Sequence, residues 1–243
     1  MGETGTRLLY QDDSYLRSFE ATVLEQKGDA VILDQTAFHP RPSGGLSNDT
    51  GILEGENCTA RVVDVTIENG VVYHWVEADC RFTPGERVVG RIDWARRYRM
   101  MRLHTASHII AALLYDRYGA RVTGGMIEPD KAKDDFDLSM VDDWKGALRW
   151  AVEEANRIAK KCLEVKVYWA PRSLLKERPE LVKLAARLPP STDKIRIVEI
   201  PGVDVQADGG PHVRNTCEIG EIVLLKLESK GRKRRRLYYT VEP

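Results

Sequence analysis

Over the first 90 residues the apolar positions come in short clusters, at 21–24, 30–33, 58–65, 71–76 and 87–92. Turn-forming residues separate them: Lys27-Gly28-Asp29, Asn69-Gly70 and Thr83-Pro84-Gly85. The pair VVDVTI and VVYHWV around Asn69-Gly70 is a hairpin signature, because Asn-Gly accepts the positive φ angles of a two-residue turn. Strands this short and this regularly spaced predict a small β-barrel. Residues 37–51, AFHPRPSGGLSNDTG, are rich in Gly, Pro, Ser and Asn and predict a loop. A loop of that length in a compact domain often carries function.

The period changes near Arg91. Residues 94–118 place Met101, His104, His108, Ile109, Ala112 and Tyr115 at helical spacing, and Gly119 and Gly124-Gly125 stop the run. A second helix is expected over 141–163, with Leu148, Val152, Ala155, Ile158, Ala159 and Leu163 on its apolar face. Strands are expected at 165–169, 195–200 and 203–206. A short helical piece at 181–187 ends at Pro189-Pro190, and a closing hairpin pairs 222–227 with 237–241 around Gly231. The expected class is α+β: an N-terminal β-barrel domain over residues 1–90, then an α+β domain over residues 91–243.

The chain has 243 residues, 42% hydrophobic and 30% charged, the balance of a soluble globular protein. No apolar run approaches the ~18 residues of a membrane span. The N-terminus lacks the basic start and apolar stretch of a signal peptide. Four cysteines with no CxxC pair argue against a disulfide scaffold and fit a reducing, cytoplasmic setting. The net charge of zero hides an asymmetry: residues 1–90 hold 7 basic and 15 acidic residues, and residues 91–243 hold 30 and 22. The basic half is the one suited to a polyanion, although two domains with differently solvated faces give the same balance.

Chemistry concentrates at two places. His104 and His108 are four apart on the first expected helix, so both imidazoles share one face. Two neutral histidines so placed can share a zinc ion, and HTASH lacks the glutamate of the HEXXH proteases. In VQADGGPHVRNTCEIG, residues 205–220, His212 follows a Gly-Gly turn directly after a strand, with Asp208 four residues before it. A turn there can project side chains back at the helix, and three imidazoles with one carboxylate make a tetrahedral zinc set.

HTASH followed by DGGPHVRNTCEIG resembles the His-x-x-x-His and Cys-x-x-x-His pair of the alanyl-tRNA synthetase editing domain. TAFHPRPSGGLSNDTG resembles the glycine-rich segment of that domain's N-terminal barrel. The likeness covers nearly the whole chain, which is too short to hold an activation domain as well. It is therefore similar to the AlaX family of free-standing trans-editing proteins, in its medium-length form. The resemblance implies a zinc-associated hydrolase that removes serine misattached to the alanine tRNA. It places metal ligands at His104, His108 and His212, and it places Asp208 where the family has a cysteine. A carboxylate oxygen replaces a soft thiolate there, which bears on metal identity and affinity. Pro211 stands where a threonine is common. Thr36 is the expected partner for the serine hydroxyl, and Gly44, Gly45 and Gln206 are expected substrate contacts.

RIDWARRYRMMR, residues 91–102, leads into HTASH with five arginines, one aspartate, Trp94 and Tyr98. Arginines neutralise phosphates and aromatic rings stack on unpaired bases, so Arg96, Arg97, Arg99 and Arg102 are expected to grip a tRNA acceptor arm. GRKRRR, residues 231–236, is expected at a hairpin tip that contacts RNA. Two other classes remain open from the residues alone: a non-catalytic tRNA-binding module with structural histidines, and a metal-dependent hydrolase of another small ester or amide.

Overall fold

In Ser18–Lys27 (β2) every second residue from Phe19 to Val23 is buried, the alternation of a strand with one face on a core. The same logic builds a closed barrel from β2, Ala30–Leu33 (β3), Gly51–Glu54 (β5), Thr59–Glu68 (β6), Val71–Glu77 (β7) and Arg87–Ile92 (β8). The strand order is β2-β3-β7-β6-β5-β8, all pairs antiparallel. These features come from a computed structural model, which describes residues 5–178, 181, 193–231 and 233–243. Two short strands, Arg7–Leu8 (β1) and Gln35–Thr36 (β4), pair in parallel beside the barrel.

Asn69 and Gly70 both take positive φ, as the hairpin between β6 and β7 requires. Within β6 the buried residues are Ala60, Val62 and Val65, a step of three where two is expected. A register shift between Val62 and Asp64 supplies the extra residue and returns Val65 to the core. That core also holds Phe19, Val31, Leu33, Phe38, Leu53 and Val72.

Contacts divide the chain into two units, Met1–Tyr98 and Arg99–Pro243. The division falls inside the helix Trp94–Tyr118 (α1), beyond the change of pattern near Arg91, because the first turn of that helix is bonded to the barrel unit. Asp93 caps α1, its Oδ1 accepting from Arg96 N at 3.2 Å. From Met100 to Ala112 the helix is buried on almost every side, not along one stripe, and Tyr115 of the expected face is exposed.

In the second unit the sheet order is β14-β15-β10-β9, from Glu221–Ser229 (β14), Arg234–Glu242 (β15), Ala132–Asp137 (β10) and Val122–Ile127 (β9). A second sheet orders Lys166–Pro171 (β11), Lys194–Ile200 (β12) and Asp204–Ala207 (β13). The helix Trp144–Ala159 (α2) buries Leu148, Val152, Ala155, Ile158 and Ala159, as its spacing predicts. Asn156 fastens it to β14, donating to Ile222 O and accepting from Ile222 N, both at 2.8 Å. Leu174–Glu177 (α3) is a single turn. The helical piece expected at 181–187 lies outside the described residues except for Leu181.

One expectation is corrected. The cysteines are not idle: Cys58 pairs with Cys80 in the barrel unit and Cys162 with Cys217 in the second unit, leaving no free thiol. The partners are 22 and 55 residues apart, so only the folded chain brings them together. The cysteine pattern therefore no longer argues for a reducing compartment. The hairpin β9–β10 was not expected at all, because its second strand reads AKDDFD and shows no apolar alternation. Among the described residues, no helix is long and apolar enough to cross a membrane.

Candidate metal centre

Helix α1 carries His104 and His108 one turn apart, and the loop after β13 carries Asp208 and His212. One ligand atom from each of these four residues lies within 4.8 Å of every other, and the group can hold a metal ion. All four are almost fully buried, and the ring centroids are 4.0 Å apart for His104 and His212 and 4.8 Å for His104 and His108.

The ring nitrogens have specific partners. His104 Nδ1 lies 3.3 Å from the Pro211 carbonyl, which can only accept. His108 Nδ1 lies 3.1 Å from Asp204 Oδ2, again an acceptor. His212 Nδ1 lies 3.1 Å from Thr105 Oγ1, whose own proton goes to Met101 O at 3.0 Å. The Nδ1 atoms of His104 and His212 thus each face an oxygen that can accept a proton, and their Nε2 atoms turn towards Asp208. A metal-binding histidine needs this arrangement, one nitrogen donating to a neighbour and the other free to ligate. His104 Nε2 and His212 Nε2 lie 3.7 and 3.2 Å from the two carboxylate oxygens of Asp208.

Electrostatics agree with that donor set. Burial opposes the charge of Asp208, but His104 and then His212 hold it well below the usual carboxylate range. Burial, with His104 and His108 beside it, pushes His212 well below its ordinary value and keeps the imidazole neutral. A neutral imidazole and an ionised carboxylate are the forms that bind a cation.

The loop is built to hold Asp208. Asp208 Oδ1 accepts from Gly210 N at 2.7 Å, and Arg196 Nη1 donates to Asp208 O and Gly210 O at 3.0 and 2.9 Å. A side chain at position 210 would start 2.7 Å from His104 Cε1, so glycine is what lets the ring lie there. Behind the helix, Ser107 Oγ and Tyr239 OH both donate to Asp134 Oδ2 at 2.8 Å. No sequence motif marks the parts played by Asp204, Thr105, Arg196 and Asp134. Asp204 alone left a trace, two residues before Gln206 on the same face of a strand.

The remaining expected residues fare unequally. Gln206 sits beside the centre, its amide nitrogen 2.6 Å from His108 Nδ1 and donating to Asp204 Oδ2 at 3.1 Å. Its amide is spent on orienting the histidine. Arg97 is fully buried in the barrel unit: its Nε donates to both oxygens of Asp49 at 3.0 Å, and its Nη1 to Ser14 O at 3.0 Å. Arg102 is buried in the second unit, its Nε donating to Ile219 O at 2.9 Å and its Nη2 to Glu242 O at 2.5 Å. Both are corrected from phosphate-gripping to structural arginines. Arg96 and Arg99 are half-buried, donating to Asn48 O and Thr240 Oγ1, each at 2.9 Å. Trp94 and Tyr98 stack on each other at 5.4 Å, with Arg17 over Trp94. Of the 231–236 run, residues 234–236 belong to β15: Arg236 is paired with Asp135 at 2.6 Å, and Arg232 lies outside the described residues.

Thr36 is wholly buried in the barrel unit. His74 Nδ1 lies 2.9 Å from Val31 O, and burial lowers that imidazole to a pKa of about 4, so it is neutral with its proton on Nδ1. Its Nε2 can then only accept, and Thr36 donates to it at 2.8 Å. Thr36 also accepts from Phe38 N at 3.1 Å, which leaves its oxygen one lone pair. Gly44 and Gly45 form a turn with positive φ at both positions, closed by Leu46 N donating to Ser43 O at 3.0 Å.

The chain is 53% identical over 241 residues to the alanyl-tRNA editing protein AlaX-M of Saccharolobus solfataricus, covering 98% of this chain and all of that one. The chain belongs to the AlaX-M family of alanyl-tRNA editing proteins. The Methanosarcina acetivorans family member is 39% identical over 97% of this chain and 99% of its own. The alanine–tRNA ligase of Ignicoccus hospitalis is 36% identical over 90% of this chain, which corresponds to 24% of the ligase. Residues 195–238, which hold Asp208 and His212, match the threonyl and alanyl tRNA synthetase second additional domain, and residues 11–96 match the class II (A) tRNA synthetases.

Proposed function

We propose that the protein is a trans-editing deacylase that frees tRNA for alanine from misattached serine. The observation that carries this is the convergence of three histidines and one carboxylate on a single point, in a member of an alanyl-tRNA editing family.

His104, His108, His212 and Asp208 would hold zinc, whose preference for imidazole nitrogen with an oxygen or sulfur donor in a tetrahedron fits this set. When bound, zinc supplies positive charge that polarises or anchors an oxygen of the substrate. Four protein ligands would leave zinc no open position, so its role would be to hold the tRNA end rather than to activate a water. The Pro211 carbonyl and the Thr105 hydroxyl would keep His104 and His212 in the ligating tautomer, and Arg196 fixes the loop that presents Asp208. In the reaction a water oxygen bonds to the ester carbonyl carbon. The bond from that carbon to the ribose oxygen then breaks, and the ribose oxygen takes up a proton, releasing serine and tRNA.

A site for alanine cannot exclude serine by size alone, since serine adds only one hydroxyl, so a second site must read that hydroxyl. Thr36 is the reader in this proposal. Its proton is committed to His74, so it accepts the serine O–H. Gly44 and Gly45 are kept as substrate contacts through their backbone, and Arg96 and Arg99 as phosphate contacts. The setting is cytoplasmic, where translation supplies the substrate.

Deacylation of seryl-tRNA and alanyl-tRNA, both made on alanine tRNA, tests the reading. Rapid loss of serine with alanine spared is the expected result. Equal rates, or no hydrolysis of either ester, would overturn it.

A further inference from the structure

Position Trp169 is 45% exposed on β11, the outer strand of the three-stranded sheet, in a structure where large rings are mostly buried or stacked. Its place in the sheet is informative. Trp169 lies opposite Arg196 on β12, and Val198, two residues on, lies opposite Gln206 on β13. Directly opposed residues in an antiparallel pair project to the same face, as do residues two apart on one strand. Trp169, Arg196 and Gln206 therefore share a face, the one from which Gln206 reaches His108. Pairing continues one residue beyond β13, Asp208 N donating to Arg196 O at 3.1 Å. The row across the sheet thus reads Trp169, Arg196, Asp208, and two strand spacings put Trp169 about 10 Å from the metal-binding aspartate.

Exposed Val167 is on the same face, and so is Lys194, opposite Pro171. An open aromatic ring with a cation on the same strip of sheet matches a base joined to a phosphate. Trp94 and Tyr98, the aromatics expected to stack on RNA, have turned to each other and to Arg17.

We propose that Trp169 is a stacking platform for the unpaired 3′-terminal base of the tRNA, set one short span from the metal centre that receives the ester on the same nucleotide. This rests on the editing function proposed above. The platform explains how the end of the strand is registered on the site without reading its sequence, since every base offers a π-face.

Binding of an uncharged alanine-tRNA acceptor minihelix ending in CCA tests the platform, compared with the same RNA carrying an abasic 3′-terminal nucleotide. Trp169→Ala should weaken binding of the intact RNA roughly 10-fold, and Trp169→Phe by less, as stacking on one base predicts. The abasic RNA should bind wild type as weakly, with no further loss on Trp169→Ala, and zinc content should equal wild type in both variants. Unchanged binding by Trp169→Ala, or the same loss on both RNAs, would overturn the platform. A change in sedimentation with RNA affinity intact would make the patch a protein contact and overturn it equally. The binding arm needs no catalysis, so a wild-type protein that fails to deacylate seryl-tRNA would sink the editing function separately.

Discussion

The Thr105 hydroxyl stands between the Met101 carbonyl and His212 Nδ1, 3.0 and 3.1 Å away, and so decides which nitrogen of His212 is free to bind a metal. Thr105 is wholly buried, and valine has its shape. Thr105→Val should fold normally but leave the His212 N–H without an acceptor. Loss of such an outer contact typically costs about 10–100-fold in metal affinity. Chelator competition measures it, and zinc affinity equal to wild type would mean that Thr105 does not orient the ring.

How much of this was legible beforehand differs by element. The bounds of β3, β8 and α1 coincide with their apolar periods, although α1 also buries Arg97, Arg102, His104, Thr105 and His108. The strand β10 was invisible because its buried residues include Asp134 and Asp135. Their partners, Tyr239 and Arg236, lie more than a hundred residues away in sequence. The four residues of the candidate metal centre were legible because each pair is four residues apart. Their orienting partners were not, since Thr105 and Asp204 matter only through what they face. In RIDWARRYRMMR nothing marks which arginine turns inward. That is fixed by Asp49, deep in the glycine-rich loop.

Arg97 and Asp49 are both fully buried as an ion pair. Removing one partner leaves an uncompensated charge, so Arg97→Ala should lower stability by about 3–5 kcal/mol, read by urea unfolding. The double change Arg97→Met with Asp49→Leu should recover much of that loss, since apolar replacement of a whole buried pair is often neutral. The double variant should keep the wild-type salt dependence of tRNA binding, whereas Arg96→Ala and Arg99→Ala should each reduce the slope by roughly 0.7–0.9. A flatter slope in the double variant would return Arg97 to the RNA surface.

Acid should weaken the barrel through His74. Buried and neutral, it takes a proton only near pH 4, against an ordinary value of 6.5 in the unfolded chain. Between those values the unfolded chain binds a proton that the folded chain refuses. The His74 contribution to stability is therefore fully present above pH 6.5 and lost progressively as pH falls to 4. The shift corresponds to about 3 kcal/mol. Denaturant unfolding from pH 7.5 to 4.5 should show a shallower decline for His74→Gln than for wild type. Parallel declines would mean that His74 is protonated in the folded barrel.

The contact between His74 and Thr36 sets up the last expectation, on specificity. Thr36 gives its proton to His74 Nε2 and takes one from Phe38 N, so only an acceptor site remains on its oxygen. Serine can donate to that site and alanine cannot. A buried hydrogen bond left unmade costs about 1–3 kcal/mol, so deleting the acceptor should slow seryl-tRNA hydrolysis roughly tenfold and leave the alanyl ester almost unchanged. Thr36→Val makes that deletion while keeping the shape of the side chain. It also leaves His74 Nε2 without a donor, so a second variant is needed to separate packing from recognition. Thr36→Ser restores the hydroxyl with one methyl fewer, and it should recover most of the preference for serine. A ratio of seryl to alanyl rates that is the same in wild type and Thr36→Val would assign the reading of the hydroxyl to another residue.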